Sequence, residues 1–111
     1  MLDHERLDVY QCSIEFLAIA FSIVGHLPRG HAPLADQLRR AATSIPLNIA
    51  EAAGKTSLHE RAHFHAIARG SAMECGAILD VVGLLQVAAA EVTRGKELLV
   101  RTVSMLSKMC R

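Results

Sequence analysis

Apolar residues recur every three or four positions along almost the whole chain, and this periodicity limits the fold more than any other feature. The first apolar stripe consists of Leu7, Tyr10, Ile14, Leu17, Phe21 and Val24. An α-helix has 3.6 residues per turn, so this spacing places the side chains on one helix face. Strand-like alternation of apolar and polar residues does not occur in the sequence. The pattern therefore predicts an all-α protein.

Turn-forming residues divide the periodic sequence into four predicted helices. These helices span roughly residues 4–27, 34–53, 58–89 and 92–110. The third is the longest, and its predicted core positions are Phe64, Ala68, Ser71, Cys75, Ile78, Val82, Leu85 and Ala89. A chain of 111 residues suits one domain. Four helices with short connections predict a single up-down-up-down four-helix bundle over residues 1–111.

The first helix carries more apolar surface than one neighbouring helix can cover. A second series lies beside the first stripe and consists of Val9, Phe16, Ala20, Ile23 and Leu27. On the second helix, Leu47 lies on an otherwise polar face with Arg40, Ser44 and Glu51. A small bundle with wide apolar faces tends to bury the surplus against copies of itself. The sequence therefore predicts a homo-oligomer.

Pro46 lies in the middle of the second predicted helix. Proline cannot donate a hydrogen bond to the carbonyl of Ala42, and its ring crowds the same turn. One interpretation is a kinked helix in which Ser44 or Asn48 bonds the disturbed backbone groups. The alternative is two shorter helices that meet at Thr43–Ser44, and the pattern alone does not decide between them.

The charge balance argues against a protein that binds nucleic acid through bulk electrostatics. Lys and Arg number 12 and Asp and Glu number 11, which gives a net charge of +1. Binding to nucleic acid would need a local basic patch, and the candidates are Arg39, Arg40, Lys55 and Arg69.

The sequence predicts a cytoplasmic protein without a membrane segment. Mixed charges in the first eight residues do not fit a signal peptide. The nearly apolar run Phe16–Gly25 is shorter than the roughly 20 residues that span a bilayer. Cys12, Cys75 and Cys110 form no Cys-x-x-Cys pair, so we expect reduced thiols in the core.

Two motifs carry a family resemblance. Residues 37–51 read QLRRAATSIPLNIAE, and residues 64–74 read FHAIARGSAME. Together with the opening LDVYQ at residues 7–11, they resemble the small four-helix bundle proteins encoded in intervening sequences of bacterial large-subunit ribosomal RNA genes. The resemblance implies a ring-shaped homopentamer with no established catalytic activity. The structural signature that it implies consists of Ser44, Pro46, Asn48, Glu51, Ser57, Glu60, Gly70, Ser71 and Glu74.

The chain departs from the family pattern in two respects. The family usually has Gly directly after the Asn-Ile-Ala-Glu motif, whereas Ala52 and Ala53 precede Gly54 here, so we expect a longer second helix. A relative, the accessory variability protein of diversity-generating retroelements, is a strongly basic pentamer that binds nucleic acid and a reverse transcriptase. The near-neutral charge makes a nucleic acid or a nucleic-acid enzyme the second choice of partner here.

Two groups of polar residues can be interpreted either as chemical sites or as purely structural features. His59, Glu60 and His63 match the His-Glu-x-x-His zinc motif, but Ser57 and Glu60 also match a helix capping box, and no third ligand is evident. We therefore expect no metal and no cofactor. The polar residues Asn48, Glu51, Ser71 and Glu74 fit a buried hydrogen-bond network better than a catalytic pair, because no nucleophile accompanies them. The sequence predicts a non-enzymatic scaffold or adaptor.

Overall fold

The computed structural model describes residues 1–110 and contains four α-helices after a short 3-10 helix at Asp3–Arg6. The α-helices are α1 (Asp8–His26), α2 (Ala32–Ala53), α3 (Leu58–Leu84) and α4 (Ala89–Met109). No strand occurs within residues 1–110. The predicted all-α class is confirmed.

Helices that follow each other in the sequence pack side by side, and α1 packs against α4 to close the bundle. In the part of the chain that the structure describes, the backbones of the diagonal pairs α1–α3 and α2–α4 stay apart, and side chains of all four helices form one core between them. The result is an elongated bundle of 45 × 24 × 21 Å. Short connections between neighbouring helices give the up-down-up-down topology that the sequence predicts.

The prediction of the start of the first helix was wrong by four residues. Residues 3–6 form the separate 3-10 turn, and α1 begins at Asp8. Leu7 between them has φ −77° and ψ 130°, an extended conformation that interrupts the helix. The apolar pattern does not register this break because Leu7 still packs at the edge of the core.

The prediction of the connection between the third and fourth helices was also wrong. α3 ends at Leu84 rather than at residue 89, and Ala89 is the first residue of α4. Gln86 and Ala88 have φ values of 57° and 51°, in the left-handed region. Such a turn usually contains Gly or Asn, so Gln and Ala at these positions gave no sequence signal for the break.

The core is aliphatic, and on α1 it uses the second apolar series rather than the first stripe. Phe16, Ala20 and Ile23 are completely buried. Ile14 and Phe21 of the first stripe remain 41% and 51% exposed. The side of α1 that faces the other helices is covered, whereas no helix within residues 1–110 packs over Ile14 and Phe21. The other face is left at the surface.

α2 is one uninterrupted helix through Pro46, which excludes the alternative of two shorter helices. The Asn48 side-chain amide donates to the carbonyl of Ser44 at 2.8 Å. Asn48 therefore bonds a carbonyl in the turn that proline disturbs, although not the carbonyl of Ala42. α2 ends at Ala53 with Gly54 as its C-cap, so the expected extension of this helix is confirmed.

α1 is long and apolar enough by composition to cross a membrane, with 19 residues and a mean hydropathy of 1.3. Core helices of soluble proteins meet the same criteria. A third of the apolar window, 33%, is buried inside the bundle. The high hydropathy thus arises partly from core side chains and partly from the exposed face that contains Ile14 and Phe21.

Gly95 of α4 lies where three helices come closest together. A Cβ atom at this position would be 3.0 Å from Cδ1 of Leu79 on α3 and 3.3 Å from Cε1 of Phe16 on α1. A Cβ on Gly83, in contrast, would have nothing within 4 Å. The absence of a side chain at residue 95 lets α4 approach both neighbours.

Replacing Gly95 by valine should destabilise the bundle by about 1–3 kcal/mol, because the extra carbons overlap Leu79 and Phe16. Gly83→Val is the matched control and should change stability by less than about 0.5 kcal/mol. Urea unfolding, followed by circular dichroism at one fixed protein concentration, measures the stability of both variants. Equal midpoints for the two variants would show that the close approach at residue 95 is unimportant.

Candidate functional site

A polar cluster joins α2 to α3 and consists of Ser44, Asn48 and Ser71. The hydroxyl oxygens of Ser44 and Ser71 are 2.8 Å apart. The Asn48 amide donates to the Ser44 hydroxyl at 3.0 Å and to the Ser44 carbonyl. All three residues are half-buried, and their hydrogen bonds compensate the loss of water at the helix contact. The cluster ties the proline-containing turn of α2 to the middle of α3.

The two carboxylates of the predicted network lie outside this cluster. Glu51 pairs with Lys55 at 3.2 Å, one turn along α2. Glu74 lies 4.0 Å from Arg40, across the α2–α3 contact. Both carboxylates are exposed, because leaving a charge in water avoids a large desolvation cost. The predicted network thus contains Asn48 and Ser71 but neither Glu51 nor Glu74.

The four candidate cations are not brought together. Arg39 and Arg40 line one exposed depression on α2, where Arg39 pairs with Asp36 at 3.0 Å. Lys55, beyond the end of α2, lies 5.2 Å from the ring centroid of Phe64. Arg69 donates from Nε to the Ser107 hydroxyl of α4 at 2.8 Å. Only Arg39 and Arg40 share a surface that a phosphate chain could contact.

Half of the predicted capping box forms at the start of α3. The Ser57 hydroxyl accepts a hydrogen bond from the Glu60 backbone N–H at 3.2 Å. The Glu60 side chain is exposed, as are His59 and His63. His65 is buried, with Nδ1 3.2 Å from the Met109 carbonyl oxygen. Within residues 1–110, no three His, Cys, Asp or Glu side chains lie close enough together to hold a metal ion.

The cysteines are free thiols with different exposure. Cys12 and Cys75 are buried, as predicted, whereas Cys110 is half-buried near the end of α4. Burial, and secondarily the charge of Glu74, raises the pKa of Cys75 to about 12. The thiolate is the reactive form, so Cys75 is unreactive at neutral pH.

An apolar groove between α3 and α4 is the feature that sequence analysis missed. The groove has a volume of about 520 Å³ and is lined by Ala72, Met73, Gly76, Ala77, Asp80, Lys96, Leu99, Val100, Val103 and Ser104. A signal was present in α3, whose solvent-facing positions include Met73, Ala77 and Val81 rather than charged residues.

The small residues in the middle of α3 have different roles. Gly70 is exposed, and a Cβ on it would meet nothing within 4 Å. Gly70 therefore does not make room for a neighbouring helix within one chain. Ala72 is buried in the core, and Ser71 provides the hydrogen bond to Ser44.

Removing either hydroxyl of the Ser44–Ser71 pair should cost about 0.5–1.5 kcal/mol of unfolding free energy. The double variant should cost less than the sum, because the first substitution already breaks the shared bond. Chemical unfolding of Ser44→Ala, Ser71→Ala and the double variant measures this coupling. Ser22→Ala, an exposed serine of α1 outside the groove, is the control. Additive effects would contradict the direct bond.

Comparison with known proteins agrees with this bundle. A search of curated proteins returned no match. A family model described as 23S rRNA-intervening sequence protein matches residues 5–108, which contain α1, α2 and α3 whole and α4 as far as Lys108. The chain belongs to the family of 23S rRNA-intervening sequence proteins.

Proposed function

We propose that this protein is a non-enzymatic, cytoplasmic homo-oligomer, a ring of five copies that acts as a scaffold or adaptor for another macromolecule. The observation that carries the proposal is apolar surface left outside a complete bundle on all four helices, Leu47 of α2 included. The large exposed apolar side chains include Ile14 and Phe21 on α1, Met73 and Val81 on α3, and Val100 on α4. Large exposed apolar patches on a folded domain mark contact sites.

The size of the surface is compatible with two interfaces for each chain, as a ring requires. A chain in a standard interface loses about 800 Å² of accessible surface. Two such interfaces would remove about a quarter of the 6334 Å² of this bundle. A chain of this size retains enough surface after assembly to contact a partner.

The polar groups of the site support binding rather than catalysis. Glu51 pairs with the half-buried Lys55, and Glu74 pairs with the exposed Arg40. A general acid and base pair instead needs two titratable groups that converge on one reacting position. The buried thiol of Cys75, with its raised pKa, is not available as a nucleophile.

Association with RNA or DNA is the second candidate function, and the adjacent Arg39 and Arg40 favour it. Both side chains are exposed beside the hydroxyl of Ser44 and the amide of Asn48, which also bind phosphate oxygens in other proteins. Each arginine has an acidic neighbour, Asp36 or Glu74, which weakens the positive potential. We therefore rank this function below scaffolding.

The absolute mass in solution, measured by light scattering at low and high salt, tests the leading proposal. We expect a particle of five times the 12.0 kDa chain mass. The mass should persist in high salt, because apolar contacts are not screened by ions. A monomer at all concentrations would overturn the homo-oligomer.

Fluorescence anisotropy with a labelled single-stranded RNA tests the second candidate. If Arg39 and Arg40 contact phosphates, Arg39→Glu with Arg40→Glu should abolish binding. Arg39→Gln with Arg40→Gln neutralises the two contacts and should weaken binding and lower the slope of log affinity against log salt by about 1.4, since single strands release about 0.7 counterion per contact. Arg6→Glu with Arg29→Glu reverses two exposed charges outside this depression and is the charge-matched control for the Glu variant. Binding that is unchanged by the substitutions at residues 39 and 40 would contradict phosphate contacts at these arginines.

A further inference from the structure

We propose that an apolar ridge on α1 of one chain docks in the α3/α4 groove of the next chain. The ridge consists of Ile14, Ala18 and Phe21. The inference rests on the proposed homo-oligomer and identifies the two surfaces that build it.

The α1 ridge can lose water without stranding a charge. Its residues are spaced by four and three positions, so they share one helix face. From Val9 to Gly25 the only charged side chain is Glu15, which is bonded to Arg94 of α4 at 2.8 Å. Burying an unpaired charge is expensive, and the ridge avoids that cost.

The groove can also lose water without leaving a charge unpaired. Most of its lining is apolar, and its two charged residues, Asp80 and Lys96, pair with each other. Gly76 and Ala77 leave room for a large side chain from outside. Met73 at the edge can adapt its shape to that side chain, since methionine is flexible and unbranched.

The two surfaces agree in length. Ile14 and Phe21 are seven residues apart, which corresponds to about 10.5 Å along a helix. The α3 wall of the groove runs from Ala72 to Asp80, a rise of about 12 Å, which is long enough to take both side chains. Large side chains at that spacing fit a groove with small residues along its wall, as in ridge-into-groove packing between helices.

The other exposed apolar groups fit the groove less well. Leu47 is 64% exposed, but Arg40 and Glu51 lie on the same face of α2 and would be buried with it. Two grooves placed against each other would leave an unfilled space, because both surfaces are concave. Such a void forfeits the dispersion contacts that hold an interface together.

The positions of the surfaces determine the symmetry. The groove is lined by residues of α3 and α4 only, so the ridge on α1 and the groove are two different patches of the bundle. A contact between two different patches is heterologous, and it closes into a ring or extends as a filament. A ring with an odd number of copies cannot be built from two-fold contacts alone, so this arrangement suits a ring of five.

Charge insertion into each surface tests the contact. Phe21→Glu blocks the ridge and Ala77→Glu blocks the groove, and each should convert the assembly to monomers in light scattering. Leu47→Glu places the same charge on an exposed apolar position outside both surfaces and should leave the mass unchanged. All three positions are exposed, so circular dichroism should show the wild-type helix content in each variant.

Mixing the two blocked variants distinguishes a heterologous contact from a two-fold one. The Phe21→Glu chain retains an intact groove, and the Ala77→Glu chain retains an intact ridge. Together they can form one contact, so the mixture should give a particle of two chains and no larger species. A two-fold contact through one surface alone would instead leave the variant that keeps this surface intact oligomeric without mixing.

The outcomes separate the two proposals. A wild-type oligomer whose mass survives both charge insertions overturns the ridge-and-groove contact and leaves the homo-oligomer standing. A mixture that stays monomeric overturns the heterologous arrangement. A monomeric wild-type protein overturns both proposals.

Discussion

The close approach of helices through small buried residues is the constraint on which the rest of this structure depends. The chain has no Trp and only three Phe, and one of these, Phe16, is completely buried. Alanines at the helix contacts, such as Ala20, Ala42 and Ala68, therefore let the backbones come near each other. Gly95 does the same for α4. A core built in this way is thin and cannot cover the wide apolar faces of α1 and α3.

Much of the fold was predictable because it depends on local apolar periodicity and on residues that end helices. Pro28 to Pro33 and Gly54 mark two of the three connections, although α2 begins at Ala32, two residues before its predicted start. The third connection depends on the left-handed backbone at Gln86 and Ala88, a conformation that neither residue type favours. α2 continues through Pro46, which is buried on the core side of the helix.

The candidate site was predictable where it depends on contacts within one helix. Asn48 and Ser44 are four residues apart, so their hydrogen bond follows from helix geometry. The contact of Ser44 with Ser71 joins residues 27 positions apart and depends on how α2 and α3 are aligned. The grouping of Arg69 with Arg39 failed for the same reason, since Arg69 bonds to α4 instead. Relative helix rotation is a tertiary property that a single sequence does not specify.

The two apolar series of α1 and the proposed assembly have a common physical origin. Periodicity identifies a buried face only when the opposite face is polar, and α1 has apolar side chains on both sides, with Phe16 on one and Phe21 on the other. A helix that packs on one side against its own bundle and on the other side against a second copy needs such a sequence. If the α1 ridge is covered by the next chain, both apolar series contain buried positions. The second series is buried within one chain, and Ile14 and Phe21 of the first stripe are buried between two chains. The ambiguity in the sequence is then itself a consequence of assembly.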